Sequence, residues 1–172
     1  MTAARSIGWA RAVGFVLGVS LAISAVLGWR LPRGTGRLGA DVAVAFLQTG
    51  TLQLSSVTPL INANDLQPGG ATATGTVDVR NRSGSTLAVR VKAEPSIADL
   101  DPLLWIDVRA SGTPLYHGTL GDLRGGSRPF TISPLQRRTL QVRTWLPTDV
   151  SSGYDGRIDE VNLTFHEEVV DR

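Results

Sequence analysis

The sequence predicts an all-β domain, an antiparallel sandwich or barrel, preceded by one N-terminal hydrophobic helix. After residue 40, apolar and polar residues alternate in about eight short runs, which is typical of strands that bury one face. Clusters of Gly, Pro, Asn, Asp and Ser separate these runs, as expected of turns. Before them lies an uncharged apolar segment, 12–29. We therefore divide the 172-residue chain into a targeting region with a Gly- and Arg-rich linker, 1–40, and a β domain, 41–172.

The hydrophobic segment has the features of an export signal. It contains 18 residues without a charge and follows Arg5 and Arg11, the basic-then-apolar order of a signal peptide or signal anchor. Its length is close to the roughly 20 residues that a membrane-spanning helix needs. Its small residues favour cleavage by a signal peptidase, whereas the basic flank 30–33 disfavours cleavage next to the membrane. We expect an extracytoplasmic protein that is either secreted or anchored to the cell membrane through residues 12–29.

The first predicted strand, 41–47, places Val42, Val44 and Phe46 on one face. The segment 62–70 (NANDLQPGG) is predicted to be a loop, because Pro-Gly-Gly cannot continue a central strand. The other predicted strands cover 50–55, 75–80, 87–92, 104–109, 130–132, 140–145 and 160–165, and 114–117 is predicted to be a further short extended piece.

Two of these strands form the clearest predicted hairpin. Residues 75–80 and 87–92 both alternate, and only the short segment 81–85 (NRSGS) separates them. Two alternating runs around a tight Gly-containing turn are typical of paired neighbours. We therefore expect these strands to be hydrogen-bonded to each other. No segment after residue 40 has the 3.6-residue periodicity of a helix.

Composition excludes several classes of function. The chain has no cysteine, so thiol catalysis, cysteine-bound zinc and disulfides are excluded. The region 1–40 contains five arginines and no acidic residue, which leaves 12 basic and 15 acidic residues after it. A mildly acidic domain argues against nucleic acid as a partner, because nucleic-acid binders present a basic face.

The chemical motifs point to no enzyme, cofactor or metal site. His166-Glu167 begins like the zinc motif H-E-x-x-H but has no second histidine, so we interpret 166–168 as a solvated tail. Four acidic residues lack the spacing of a calcium loop, and a solvated acidic loop is the favoured interpretation: Asp149, Asp155, Asp159 and Glu160. The other histidine, His117, has no partner motif. No serine-nucleophile elbow and no phosphate-binding loop is present.

Two tryptophans allow two interpretations. Trp105 and Trp145 fall on the nominally polar faces of their strands. There they could form an exposed aromatic pair that binds sugar or a protein partner. If the strands are out of phase by one residue, both belong to the core. We favour the core interpretation.

Several segments, in order, resemble one family. They are Phe46 with Thr49-Gly50-Thr51-Leu52-Gln53-Leu54, then Leu66-Gln67-Pro68-Gly69, then 76–84 (TVDVRNRSG), and finally Trp145-Leu146-Pro147 through Gly153-Tyr154-Asp155-Gly156 to Leu163-Thr164-Phe165. This set is similar to the TasA/camelysin family. The resemblance implies a jelly-roll-like β-sandwich that is exported and processed by a SipW-type signal peptidase. TasA-like members assemble into surface or biofilm-matrix fibres by lending an N-terminal strand, and camelysin-like members are described as surface metalloproteases.

The resulting expectation is a non-enzymatic cell-envelope or extracellular-matrix structural protein, whose partner is itself or another surface protein. Val42, Val44 and Phe46 would form an assembly strand that fills the acceptor groove of the next subunit. The alternative is that this strand pairs within its own domain. A membrane-anchored surface binding module is the second functional hypothesis, and a hydrolase, either a camelysin-like metalloprotease or a glycosidase, is the third.

Overall fold

The computed structural model describes residues 38–48, 50–55, 59–95 and 99–170. Within these residues the all-β prediction is confirmed. The predicted N-terminal hydrophobic helix, 12–29, lies outside them. Among the described residues, no helix is long and apolar enough to cross a membrane.

In the part of the chain that the structure describes, ten strands build two five-stranded sheets. They are β1 (Ala40–Phe46), β2 (Leu52–Leu54), β3 (Ile61–Leu66), β4 (Ala73–Asn81), β5 (Leu87–Ala93), β6 (Trp105–Ala110), β7 (Thr113–Thr119), β8 (Phe130–Ile132), β9 (Arg137–Trp145) and β10 (Ile158–Val169). The first sheet has the order β3-β1-β10-β5-β8, and the second has the order β2-β4-β9-β6-β7. Neighbouring strands are antiparallel except for β1 and β10, which run parallel. A short 3-10 helix, Asp122–Gly125, follows β7.

Apolar side chains from both sheets form one core. Val44 and Val89 contribute from the first sheet, and Val79 and Val142 contribute from the second; all four are fully buried. Because each strand alternates, the opposite faces of the sheets carry the polar residues. Two sheets that share one core in this way are consistent with a β-sandwich.

The strand β1 lies inside the first sheet and is hydrogen-bonded to β3 on one side and to β10 on the other. Its predicted apolar face is confirmed, because Val42, Val44 and Phe46 are all at most 5% exposed. The ring of Phe46 stacks on that of Phe165, with 4.8 Å between the ring centroids. The side chains of the predicted assembly strand therefore complete the core of their own domain.

The predicted hairpin of β4 and β5 is wrong. These strands belong to different sheets, and Asn81 directs the chain from one to the other. The Asn81 side chain is fully buried, its Nδ2 donates to the carbonyl oxygens of Ser85 and Ile132, and its Oδ1 accepts from the backbone N–H of Ser83. Both strands turn an apolar face to the same core from opposite sides. Alternation along the chain is the same for this arrangement and for a hairpin, so it does not distinguish them.

The predicted loop 62–70 is also partly wrong, because β3 occupies Ile61–Leu66. Its polar residues face outward, and Ala63 is buried against the core. Asp65 has a φ of 61° beside a register shift in the β1–β3 pairing, and its Oδ1 accepts a hydrogen bond from the backbone N–H of Gly39. Asn and Asp are rare inside strands, so this irregular edge strand has the composition of a loop.

Candidate functional site

The outer face of the second sheet carries a group of aromatic and charged side chains on three neighbouring strands. Alternation points the odd-numbered residues of β6 away from the core, and the strand pairing brings partners from β7 and β9 beside them. Trp105 is the register partner of Trp145, and Asp107 is the register partner of both His117 and Arg143. We call the following six residues the outer-face site: Trp105, Asp107, Arg109, His117, Arg143 and Trp145.

Three rings form the aromatic half of the outer-face site. The ring centroids of Trp105 and Trp145 are 6.0 Å apart, and that of His117 lies 5.2 Å from Trp105 and 5.6 Å from Trp145. Cross-strand aromatic contacts of this kind stabilise a pair by about 0.5–1.5 kcal/mol beyond the area they bury. The three rings therefore hold one another in position on the sheet surface.

The core interpretation of the two tryptophans is wrong. Trp105 and Trp145 are half-buried on the outer face, while Ile106 and Thr144 beside them point inward and are fully buried. The hydroxyl of Thr144 donates to the carbonyl oxygen of Trp105 at 3.0 Å, so this inward polar group is satisfied. The outward phase predicted for these strands is therefore correct, and the two tryptophans form a half-buried aromatic pair on the outer face.

Asp107 is the fixed carboxylate of the outer-face site. It is only 5% exposed although it faces outward, because the neighbouring side chains cover it. Arg109 Nε donates to its Oδ1 at 2.8 Å, and His117 Nδ1 lies 3.4 Å from its Oδ2. The hydrogen bond from Arg109, and then the charge of Asp107, raise the pKa of the Arg109 guanidinium. Asp107 is thus held in place as a hydrogen-bond acceptor by Arg109.

Arg143 supplies a second guanidinium. It is exposed on β9 opposite Asp107, and among the described residues no carboxylate forms an ion pair with it. Since Asp107 is paired with Arg109, the charge of Arg143 is not compensated within the outer-face site.

All members of the outer-face site except Trp105 line a surface pocket of about 200 Å³. Trp145 and His117 contribute aromatic surface to it, Asp107 an acceptor, and the two arginines donors; Thr72 completes the lining. The loop before β4 brings Thr72 to the rim, and the backbone N–H of Gly69 in this loop donates to the carbonyl oxygen of Leu146 at 2.9 Å. An aromatic surface with a few converging polar groups is the usual composition of a small-molecule site.

The predicted assembly strand does not take part in the outer-face site. Val42, Val44 and Phe46 lie in the other sheet and point into the core. Their hydrogen-bonding edges are both paired within the domain. Strand donation therefore requires β1 to leave one copy and enter another, and it stays a prediction.

The predicted acidic and histidine-containing segments fall elsewhere. His166 and Glu167 lie in β10, paired with β5, so the segment 166–168 belongs to a strand and not to a tail, although His166 and Glu168 are exposed as predicted. The predicted solvated acidic loop is wrong for Asp159, which lies in β10 and is 1% exposed, whereas Asp149, Asp155 and Glu160 are exposed. His166 and His117 belong to different sheets. Within the described part of the chain, no three His, Asp or Glu side chains cluster in a way that could hold a metal ion.

Sequence reasoning missed four members of the outer-face site: Asp107, Arg109, His117 and Arg143. The alternation of apolar and polar residues in β6 was enough to place Asp107 and Arg109 together on its outward face. The pairing of β6 with β9 was not available from the sequence, and it is this pairing that brings Arg143 opposite Asp107.

No protein-family model matches the chain, and no curated protein matches it. The TasA/camelysin resemblance of separate segments stays an expectation.

Proposed function

We propose that this protein is an exported β-sandwich module of the cell envelope that binds a ligand at the outer-face site. The observation that carries the proposal is the meeting of Trp105, Trp145 and His117 beside the fixed carboxylate of Asp107. Half-exposed indole rings leave apolar surface in water, and covering such surface is worth about 25 cal/mol per Å². Half-exposed aromatic rings beside polar groups are enriched where proteins bind partners.

The place of the domain in the chain supports an extracytoplasmic setting. The apolar segment 12–29 follows two arginines, as in a signal peptide or a signal anchor. A secreted form and a membrane-anchored form both present the β domain outside the cytoplasm. The outer-face site would then meet components of the cell surface or the matrix.

Binding is favoured over catalysis by the charge pairing in the pocket. Among the described residues, Asp107 is the one carboxylate that lines the pocket, and Arg109 already occupies one of its oxygens. Glycoside hydrolysis uses two carboxyl groups on either side of the bond that is cleaved. A camelysin-like protease would need metal ligands, and the two histidines lie in different sheets.

Binding of the full chain to an array of glycans and short peptides tests the proposal. We expect Trp145→Ala to weaken binding by about tenfold or more, because the pocket loses its indole wall. Leu135→Ala is the matched control, since Leu135 is an exposed apolar residue in the β8–β9 turn and does not line the pocket. Equal binding by wild type and Trp145→Ala would contradict the proposal.

A second candidate function is TasA-like assembly into fibres, with the jelly-roll-like fold that the resemblance implies. The observation that favours it is the position of β1, the first strand described, between β3 and β10. If β1 left, the first sheet would keep an apolar groove with two open edges, which the same strand of another copy would fit. Sedimentation velocity over a range of concentrations tests this candidate: growing oligomers support it, and a monomer at every concentration contradicts it.

A further inference from the structure

We infer that the outer-face site takes an acidic sugar, a pyranose ring that carries a carboxylate, as in a hexuronic acid residue. The inference rests on the proposed binding function and names its ligand class. Three properties of the pocket carry it: its aromatic wall, its uncompensated positive charge and its size.

The aromatic wall suits a sugar ring. Trp145 lines the pocket, and its ring contacts those of Trp105 and His117, which limit its rotation. One face of a pyranose presents C–H groups, which pack against the face of an indole, while its hydroxyl groups point to the sides. Beside the indole, Asp107 Oδ2 has a lone pair left for such a hydroxyl, because Arg109 bonds to Oδ1 and only His117 Nδ1, at 3.4 Å, approaches Oδ2.

The charge of the pocket selects an anion. Arg109 and Asp107 neutralise each other, whereas Arg143 has no ion pair among the described residues. A guanidinium binds a carboxylate with two parallel hydrogen bonds, so Arg143 is the natural partner for a ligand carboxylate. The same excess of positive charge opposes a quaternary ammonium ligand, which aromatic clusters otherwise attract.

The size of the pocket indicates one ring rather than a chain of sugars. Its volume of about 200 Å³ is below the range of about 300–1,000 Å³ that is usual for drug-sized ligands. A single hexuronic acid therefore occupies it, either as a free monosaccharide or as an exposed residue of an acidic polysaccharide.

Titrations of the full chain, followed through the indole N–H signals in NMR spectra, test the inference. The probes are D-glucuronate, a glucuronate oligomer, D-glucose, benzoate and choline. We expect glucuronate to bind about tenfold or more tightly than glucose, because only glucuronate bonds to Arg143. Tighter binding of the oligomer would assign the site to a polysaccharide, and equal binding per residue would assign it to the free sugar; both support the inference.

Two variants locate the selectivity. Arg143→Gln should bring glucuronate down to the affinity of glucose, and Arg138→Gln, which removes an exposed arginine from the same strand outside the pocket, should leave the preference intact. Thermal unfolding of both variants checks that they fold. Two results would overturn the acidic-sugar inference: glucose binds as tightly as glucuronate, or benzoate or choline binds more tightly than glucuronate. If that binding is lost in Trp145→Ala, the proposed binding function still stands. If none of the sugar probes binds, the inference is also overturned. The binding function is then tested separately by the glycan and peptide array.

Discussion

Asn81 shows how one side chain decides the route of the backbone. Its amide group is buried where the chain passes from one sheet to the other, and it bonds to backbone groups from two different segments. A buried carbonyl that loses its donor has no water to replace it. The crossing between sheets therefore depends on this residue more than on the turn residues that follow it.

Asn81→Ala should lower the free energy of unfolding by about 1–3 kcal/mol, because the carbonyl of Ile132 is left without its donor. Urea denaturation measures the change. Ser83→Ala is the control: the Ser83 hydroxyl bonds to Asn81 Oδ1 but is only part-buried, so a smaller loss is expected. Equal losses in the two variants would show that Asn81 has no special role.

Tyr116 makes the free energy of unfolding depend on pH in the alkaline range. Burial raises the pKa of its phenol above the ordinary value of 10.0, and the nearby charge of Asp122 acts in the same direction. Above pH 10 the unfolded chain gives up this proton more readily than the folded chain does. The contribution to stability is thus complete below pH 10 and is lost as the pH rises through the folded-state pKa.

Between pH 9 and pH 11, the wild-type free energy of unfolding should fall more steeply than that of Tyr116→Phe. The comparison concerns the slopes, because the substitution also removes the hydrogen bond from the Tyr116 hydroxyl to the carbonyl oxygen of Thr119. Denaturant unfolding at several pH values gives both slopes. Parallel pH profiles would contradict the account of Tyr116.

At the scale of the element, β1 is fixed along both edges and near both ends. Its neighbours are β3 and β10. Before β1, the backbone N–H of Gly39 donates to Asp65 Oδ1, and after it the hydroxyl and backbone N–H of Thr51 donate to the carboxylate of Glu167. Exchange of β1 between copies must break these contacts and form the same contacts in the partner. Once assembly is complete, each contact within one copy is therefore replaced by an identical contact between copies.

A disulfide between β1 and β3 distinguishes pairing within one chain from strand donation. Ala43 and Asn62 are register partners on the outward side, and the chain has no natural cysteine to interfere. Directly opposite residues in an antiparallel pair are close enough for such a bond. If β1 is donated, the full chain carrying Ala43→Cys and Asn62→Cys should run as a covalent ladder on a non-reducing gel.

The single substitutions Ala43→Cys and Asn62→Cys are the controls, since neither can form a chain of disulfides. A cross-linked monomer alone, with no ladder, would mean that β1 pairs within its own copy and would contradict fibre assembly by strand donation.

At the scale of the whole molecule, both sheets depend on one core. Val89 of the first sheet and Val142 of the second are fully buried in the same apolar cluster. Neither sheet can cover its inner face without the other. The domain should therefore unfold in one cooperative step.

Val89→Ala and Val142→Ala should each lower the free energy of unfolding by about 1–3 kcal/mol and keep a single transition. Differential scanning calorimetry measures both properties. Arg138→Gln is the control, because Arg138 is exposed and the substitution does not place a strand-weakening glycine in β9. Two separate transitions in either core variant would show that the sheets are independent.

Alternation predicted which faces are buried, because it reports the period of a strand directly. Val42, Val44 and Phe46 were placed correctly on this basis, and the same phase put Trp105 outward. Alternation carries no information on strand partners. The hairpin of β4 and β5 therefore failed, and the meeting of Arg143 with Asp107 was invisible. The edge strand β3 was missed because its outward residues are Asn and Asp.

We propose that this molecule acts through the outer face of its second sheet. Isothermal titration of the full chain, wild type and Trp145→Ala, with acidic polysaccharide extracted from the envelope of the cells that produce it tests this proposal. Our account predicts that the wild type binds, that glucuronate competes, and that the variant binds about tenfold or more weakly. Binding of equal strength by the two proteins would contradict it.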